Sequence, residues 1–216
     1  MIQALRALVW RLRRSLGPSI GPRYLQRQQV GYALAVPARL TDHGQLTAQI
    51  LAAHRQVADG APSAAIVSFE AALALWRGEP WEDLGYAAGL AGIRSRLTEL
   101  RDSAVDELQA TRLFVGDTAR AIAELSEATE AAPYRERRWE LLALGLYRSG
   151  RQSDALSVLR RARDLLVGEV GVDPGPALRA LEERILRQDP DLFDVVQPRI
   201  SYGAHLPTLP EPCHSL

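Results

Sequence analysis

Residues 116–166 read GDTARAIAELSEATEAAPYRERRWELLALGLYRSGRQSDALSVLRRARDLL, and one short pattern occurs in them twice. Gly116, Ala121, Ile122, Leu125 and Ala128 are matched 34 positions later by Gly150, Ala155, Leu156, Leu159 and Ala162. A third copy stands upstream at Gly60, Ala65, Ile66, Phe69 and Ala72. In each copy the two alanines lie seven apart on one helical stripe, with a larger apolar residue between them. Small side chains at those places let a neighbouring helix approach closely, and the larger one fills the groove. A recurrence of this length is the mark of stacked helical hairpins, none of which buries its own apolar face alone.

Ahead of Gly150, the residues Trp139, Leu142, Ala143 and Leu146 fall at spacings that resemble the first helix of a tetratricopeptide repeat (TPR), and Pro133 closes the copy before it. Working outward, apolar periodicity predicts helices over about 42–59, 62–76, 89–114, 118–131, 134–149 and 152–168. Asp42 is placed as the cap of the first of these. Trp76 and Trp81, in the connector after the second, are read as core anchors. Asp173-Pro-Gly-Pro176 introduces a last helix to about Gln188, whose Leu178, Leu181, Ile185 and Leu186 would close the exposed end of the stack. Trp139 and Tyr147 are the candidate protein-interaction residues, placed to line or shape the concave face of the repeats.

The 216 residues suffice for one sizeable core. Formal net charge is zero, but its distribution is uneven. The first 41 residues hold seven arginines (Arg6, Arg11, Arg13, Arg14, Arg23, Arg27 and Arg39) and no acid. The remainder has 19 arginines against 26 acids, a net of −7. The single cysteine, Cys213, excludes an internal disulfide and fits a reducing cytoplasm. No apolar run approaches the ~20 residues that span a bilayer.

The opening segment, MIQALRALVWRLRRSLG, repeats its apolar residues at three- and four-residue steps: Ile2, Leu5, Leu8, Val9, Leu12 and Leu16. That is one face of an amphipathic helix, ended by Gly17-Pro18. The other face carries Gln3, Arg6, Trp10, Arg13 and Arg14. Such a helix suits an organelle transit peptide, a helix lying on anionic lipid, or a helix that packs on a core and offers arginines to phosphates. Two short strand-like runs follow, Arg23–Arg27 and Val30–Val36, joined through Gln28 and Gln29 with Gly31 allowing the bend. Helix, Gly-Pro loop and basic hairpin is the order found at the end of a winged helix-turn-helix, and only the third reading has a use for the hairpin.

LRALVWRLRRSLG, from Leu5 to Gly17, resembles the recognition helix of the SARP family, the Streptomyces antibiotic regulatory proteins. The family's V-x-R-L-R-R-x-L-G run is matched by Val9, Arg11, Leu12, Arg13, Arg14, Leu16 and Gly17. Gly31-Tyr32-x-Leu34 is similar to the second strand of its wing. From about Asp42 to Pro190 the chain resembles the bacterial transcriptional activator domain that follows, above all in Ala74-Leu-Trp-Arg-Gly78, Tyr147-Arg-Ser-Gly-Arg-Gln152, Gly171-Val-Asp-Pro-Gly-Pro176 and Ile185-Leu-Arg-Gln-Asp-Pro190. Trp10 departs from the pattern, standing where the family has a small polar residue, and Ala7 and Leu8 stand where groove-facing polar side chains are expected. The winged helix is expected to be partial, because the helices that hold a recognition helix in the groove precede it and the chain opens on the recognition helix itself.

The fold class that results is mainly α: a TPR-like stack of helical hairpins over 42–190, preceded by a recognition helix and wing over 1–36, and followed by a disordered Pro-rich tail from 191 to 216. The resemblance implies an activator of secondary-metabolite genes that recruits RNA polymerase, with duplex promoter DNA, polymerase subunits and a second copy of the chain as partners. Phosphate contacts fall to Arg6, Arg13, Arg14, Arg23 and Arg27. Arg11 is a further DNA-binding candidate that could equally pair with an acid inside the fold. No cofactor is implied. A Gly-rich phosphate loop, a G-x-S-x-G elbow and an H-E-x-x-H pair are all missing, so catalysis has no support. His205, Cys213 and His214 have no tetrahedral ligand spacing. The alternative is a helical protein-interaction module that does not bind DNA.

Overall fold

The alanine stripes are the seams along which the helices meet. In the computed structural model, which describes residues 2–29, 31–84 and 90–194, Ala65, Ala72, Ala121, Ala155 and Ala162 are fully buried. Phe69, Leu125 and Leu159 fill the space between them. The stripes belong to α4 (Pro62–Leu73), α6 (Thr118–Ala131) and α8 (Gln152–Leu165), and the partners are α3 (Asp42–Ala58), α5 (Ala91–Val115) and α7 (Glu136–Arg148). The glycine that opens each copy ends the helix before it: Gly60, Gly116 and Gly150 have φ of +74°, +87° and +76°, the left-handed conformation a side chain would resist.

Consecutive helices pack from α4 to α8, and α9 (Pro176–Leu186) closes on α7 and α8. The core runs through Leu113, Leu125, Trp139, Leu146, Leu159 and Ile185. Between α8 and α9 the chain makes a five-residue π-turn, Leu166–Val170, left through Gly171. The architecture is thus mainly α with TPR-like hairpins, as the repeat requires.

The chain divides into two compact units, and the division falls inside α3 between Ala48 and Gln49. The first unit contains α1 (Ile2–Leu16), a single helical turn α2 (Gly21–Tyr24), an antiparallel pair β1 (Leu25–Arg27) and β2 (Tyr32–Leu34), and a 3-10 turn at Ala38–Leu40. The pairing sets Leu25 opposite Leu34 and Arg27 opposite Tyr32.

Several expectations need correction. Arg23 and Tyr24 are helical, because Pro22 at the start of α2 presets a helical φ and the strand begins only at Leu25. The cap of α3 is Thr41, whose hydroxyl accepts from the Gly44 amide at 3.0 Å, and Asp42 is the first helical residue. Trp81 is 42% exposed. It is held at φ +54° in a loop whose Pro80 and Trp81 carbonyls accept from Arg94, which fixes the loop by backbone bonds rather than by burying the indole. Leu186 faces solvent, whereas Leu178 and Ile185 are buried. Residues 191–194, which fall in the expected tail, lie among the described residues. Leu192 is buried, the Arg148 guanidinium donates to the Leu192 and Asp194 carbonyls at 2.7 Å each, and Phe193 lies 5.2 Å from the Tyr147 ring. The rest of the expected Pro-rich tail, with His205, Cys213 and His214, lies outside the described residues.

Candidate nucleic-acid interface

Helix α1 and the hairpin are joined by one side chain. Arg13 donates through Nε and Nη2 to the Leu25 carbonyl, at 3.0 and 2.6 Å, and its guanidinium also lies 5.8 Å from the Tyr32 ring. At the same seam Gly21 abuts the backbone of Arg13 so closely that a Cβ there would come within 2.5 Å of the Arg13 carbonyl oxygen. Val9 and Leu25 are the buried apolar residues of this junction. Arg13, expected among the phosphate contacts, gives two of its five N–H donors to the Leu25 carbonyl and so ties the helix to the hairpin.

The other arginines expected at phosphates face solvent. Arg6, Arg11, Arg14, Arg23 and Arg27 are all exposed. Arg14 lies over the Trp10 ring at 5.4 Å and Arg23 over the Tyr24 ring at the same distance, so two of the guanidinium groups are steadied by aromatic faces. Arg11 sits on the surface, away from the acid inside the fold that was its alternative partner. With no acid in the first 41 residues, these charges add without local cancellation. The second face of α1 is also open: Leu5, Leu8, Leu12 and Leu16 are 36–59% exposed.

The helical unit handles its charge in the opposite way, by burial in pairs. Arg138, 3% exposed, donates to Asp106, Asp102 and the Ala128 carbonyl at 2.9, 2.8 and 3.1 Å. Arg135 reaches Asp106 at 2.6 Å and both oxygens of Glu99. Burial opposes the charge of Arg135, yet its bonds to Glu99 and Asp106 outweigh that and raise its pKa. The hydrogen bond from Arg135 holds Glu99 below the usual carboxylate range. A second cluster centres on Arg112, 1% exposed, which donates to Glu124 and, at 2.5 Å, to Glu70. Burial alone would raise Glu124, but bonds from Gln109, Arg120 and Arg112 lower it. His54 is buried at 2.5 Å from Glu107, a partner the sequence had not suggested. In α5 the acids Asp102, Asp106 and Glu107 stand between the buried residues Leu100, Ala104 and Leu108.

Trp139 and Tyr147, expected to line or shape a partner groove, are 2% and 5% exposed. Trp139 Nε1 donates to the Pro133 carbonyl at 2.7 Å, so the indole spans from the core to the turn that starts its own hairpin. Both are buried in the fold, Trp139 with the Arg161 guanidinium of α8 at 5.6 Å from its ring and Tyr147 beside Phe193. Among the described residues no cluster of His, Cys, Asp or Glu could hold a metal ion, and no helix is long and apolar enough to cross a membrane.

The model of the bacterial transcriptional activator domain matches residues 41–186. The chain belongs to this family, and through it to the SARP regulators. The relatives of this activator-domain chain include the transcriptional regulatory protein EmbR of Mycobacterium tuberculosis, 37% identical over 87% of the chain and 49% of EmbR. The transcriptional regulator RedD of Streptomyces coelicolor is 35% identical over 89% of the chain and 56% of its own length. The regulatory protein AfsR of Streptomyces griseus is 39% identical over 88% of the chain and 19% of its length. A solved structure of M. tuberculosis EmbR in complex with a low-affinity phosphopeptide superimposes with a TM-score of 0.82 at 37% identity, covering 87% of the chain and 50% of EmbR. The chain therefore spans about half the length of EmbR and RedD, and about a fifth of AfsR.

Proposed function

We propose that the chain is a DNA-binding transcription activator of SARP type, in which α1 and the β1–β2 hairpin bind duplex promoter DNA and the helical hairpins carry contacts to RNA polymerase subunits or to a second copy of the chain. The observation that carries the reading is the Arg13–Leu25 junction, which presents Arg6, Arg11, Arg14, Arg23 and Arg27 on one acid-free piece of structure. Exposed guanidinium groups fixed to a helix and a hairpin suit phosphate oxygens, which accept from them along both sides of a groove. Arg13 contributes by position. Regulator names among the relatives support the same class of activity, and a promoter-DNA ligand is consistent with the cytoplasm.

The test is fluorescence anisotropy of a labelled duplex titrated with the full chain and with Arg11→Ala/Arg14→Ala. The double variant should bind about tenfold more weakly across unrelated sequences, since phosphate contacts carry no sequence information. Equal binding by both proteins would remove these arginines from the interface. Unchanged promoter activation after deletion of residues 1–36 would leave the helical hairpins as a protein-interaction module.

A further inference from the structure

Phosphate contacts employ the arginines of α1 and leave its leucines without a task. Leu5, Leu8, Leu12 and Leu16 are 47%, 59%, 49% and 36% exposed. At about 100° per residue they fall within about 80° of arc, a single apolar stripe along the helix. Arg11 lies about 100° from the middle of that stripe on one side, and Arg6 about 120° from it on the other. Leu34, 65% exposed and paired across the hairpin with the buried Leu25, adds apolar surface on the hairpin itself. Leucines gathered on one face and left in water mark a surface that something covers.

Charge and size decide what covers it. The first 41 residues hold no acid, so a second copy of α1 would bring like charge to the stripe, whereas an anionic surface is attracted from both flanks. The helix has 15 residues. One face of a helix about 22 Å long falls well short of the ~800 Å² per partner that a stable protein interface buries. A bilayer needs no such shape-matched area, only an apolar stripe bordered by cations. We infer that α1 is a membrane-surface helix: its leucine stripe lies in the plane of an anionic bilayer, at the boundary of the acyl chains, with Arg6 and Arg11 on the headgroup phosphates. It lies on the bilayer and does not cross it. Because Arg6 and Arg11 serve both ligands, duplex and bilayer exclude one another.

The experiment sediments the full chain with vesicles of phosphatidylcholine alone and of an equal mixture of phosphatidylcholine and phosphatidylglycerol. The chain should bind the anionic vesicles about tenfold more tightly than the neutral ones. Leu8→Gln/Leu12→Gln changes two exposed positions and keeps every arginine. It should bind the anionic vesicles about tenfold more weakly than wild type and a labelled duplex equally well, with circular dichroism confirming that it folds. Absence of binding to the anionic vesicles overturns the inference. Equal vesicle binding by wild type and the leucine variant also overturns it, since the arginines alone then account for adsorption. A vesicle-free dimer that the leucine variant abolishes gives the stripe to a second copy and overturns it as well. Duplex binding is read separately, so a chain that holds vesicles and no duplex loses the DNA reading and keeps this one.

Discussion

Arg13 holds the carbonyl of Leu25 with two nitrogens, at 3.0 and 2.6 Å, and so ties α1 to the first strand of the hairpin. At the same seam Gly21 abuts the Arg13 backbone, and Val9 is buried.

Arg13→Ala should therefore loosen the first unit. A hydrogen bond from a charged donor contributes about 1.5–3 kcal/mol, toward the lower end where the site is half open to water. Amide hydrogen exchange across residues 2–16 and 25–34 should accelerate in Arg13→Ala and stay unchanged in Arg11→Ala. Arg13→Lys should not restore protection, because one ammonium cannot supply the fork.

The Arg138 cluster gives a larger effect. Removing its side chain leaves Asp106 and Asp102 without one of their charge partners inside the helical stack, and breaking a buried pair from one side costs about 3–5 kcal/mol. Chemical denaturation at neutral pH should show that loss for Arg138→Ala. Arg187→Ala removes an exposed pair with Glu183 and should stay within about 0.5 kcal/mol of wild type.

Acid should destabilise the helical unit in a defined direction. Glu99 and Glu124 have folded pKa values below their ordinary 4.5, so the unfolded chain takes up their protons first. The stability they contribute is full above about pH 4.5 and is lost as pH falls through their folded values. Melting temperature measured from pH 6 down to about pH 3 should fall less steeply in Glu99→Gln/Glu124→Gln than in wild type, from a lower starting point.

Ala155 lies on a seam with no exposed surface. Ala155→Leu adds volume where α8 meets its neighbours, and overpacking of that kind costs about 1–3 kcal/mol. Calorimetry should place its melting temperature clearly below that of Ser157→Leu, an exposed change on the same helix.

The hairpin stack was legible because it is written in a repeat: Ala at seven-residue spacing and Gly at each helix end dictate close packing and a left-handed stop. Residues whose role depends on distant partners were not legible in the same way. Arg13 and Arg14 are neighbours of one type, and only the approach of Leu25 gives the first its structural task. Asp106 gains its charge partners only when the fold brings Arg135 and Arg138 to it. Trp139 and Tyr147 were candidates to line or shape the concave face of the repeats and are buried in the fold, since helix periodicity gives a face without saying what covers it.

The most direct test of the central claim is the affinity of the full chain for a labelled B-form duplex over a range of salt concentrations. Each phosphate neutralised contributes about −0.9 to the slope of log K against log salt. If the five exposed arginines each engage one phosphate, the slope should be about −4.5 and become shallower by about one for each arginine changed to alanine. A slope near zero, or one that Arg6, Arg11, Arg14, Arg23 and Arg27 do not affect, would contradict the account.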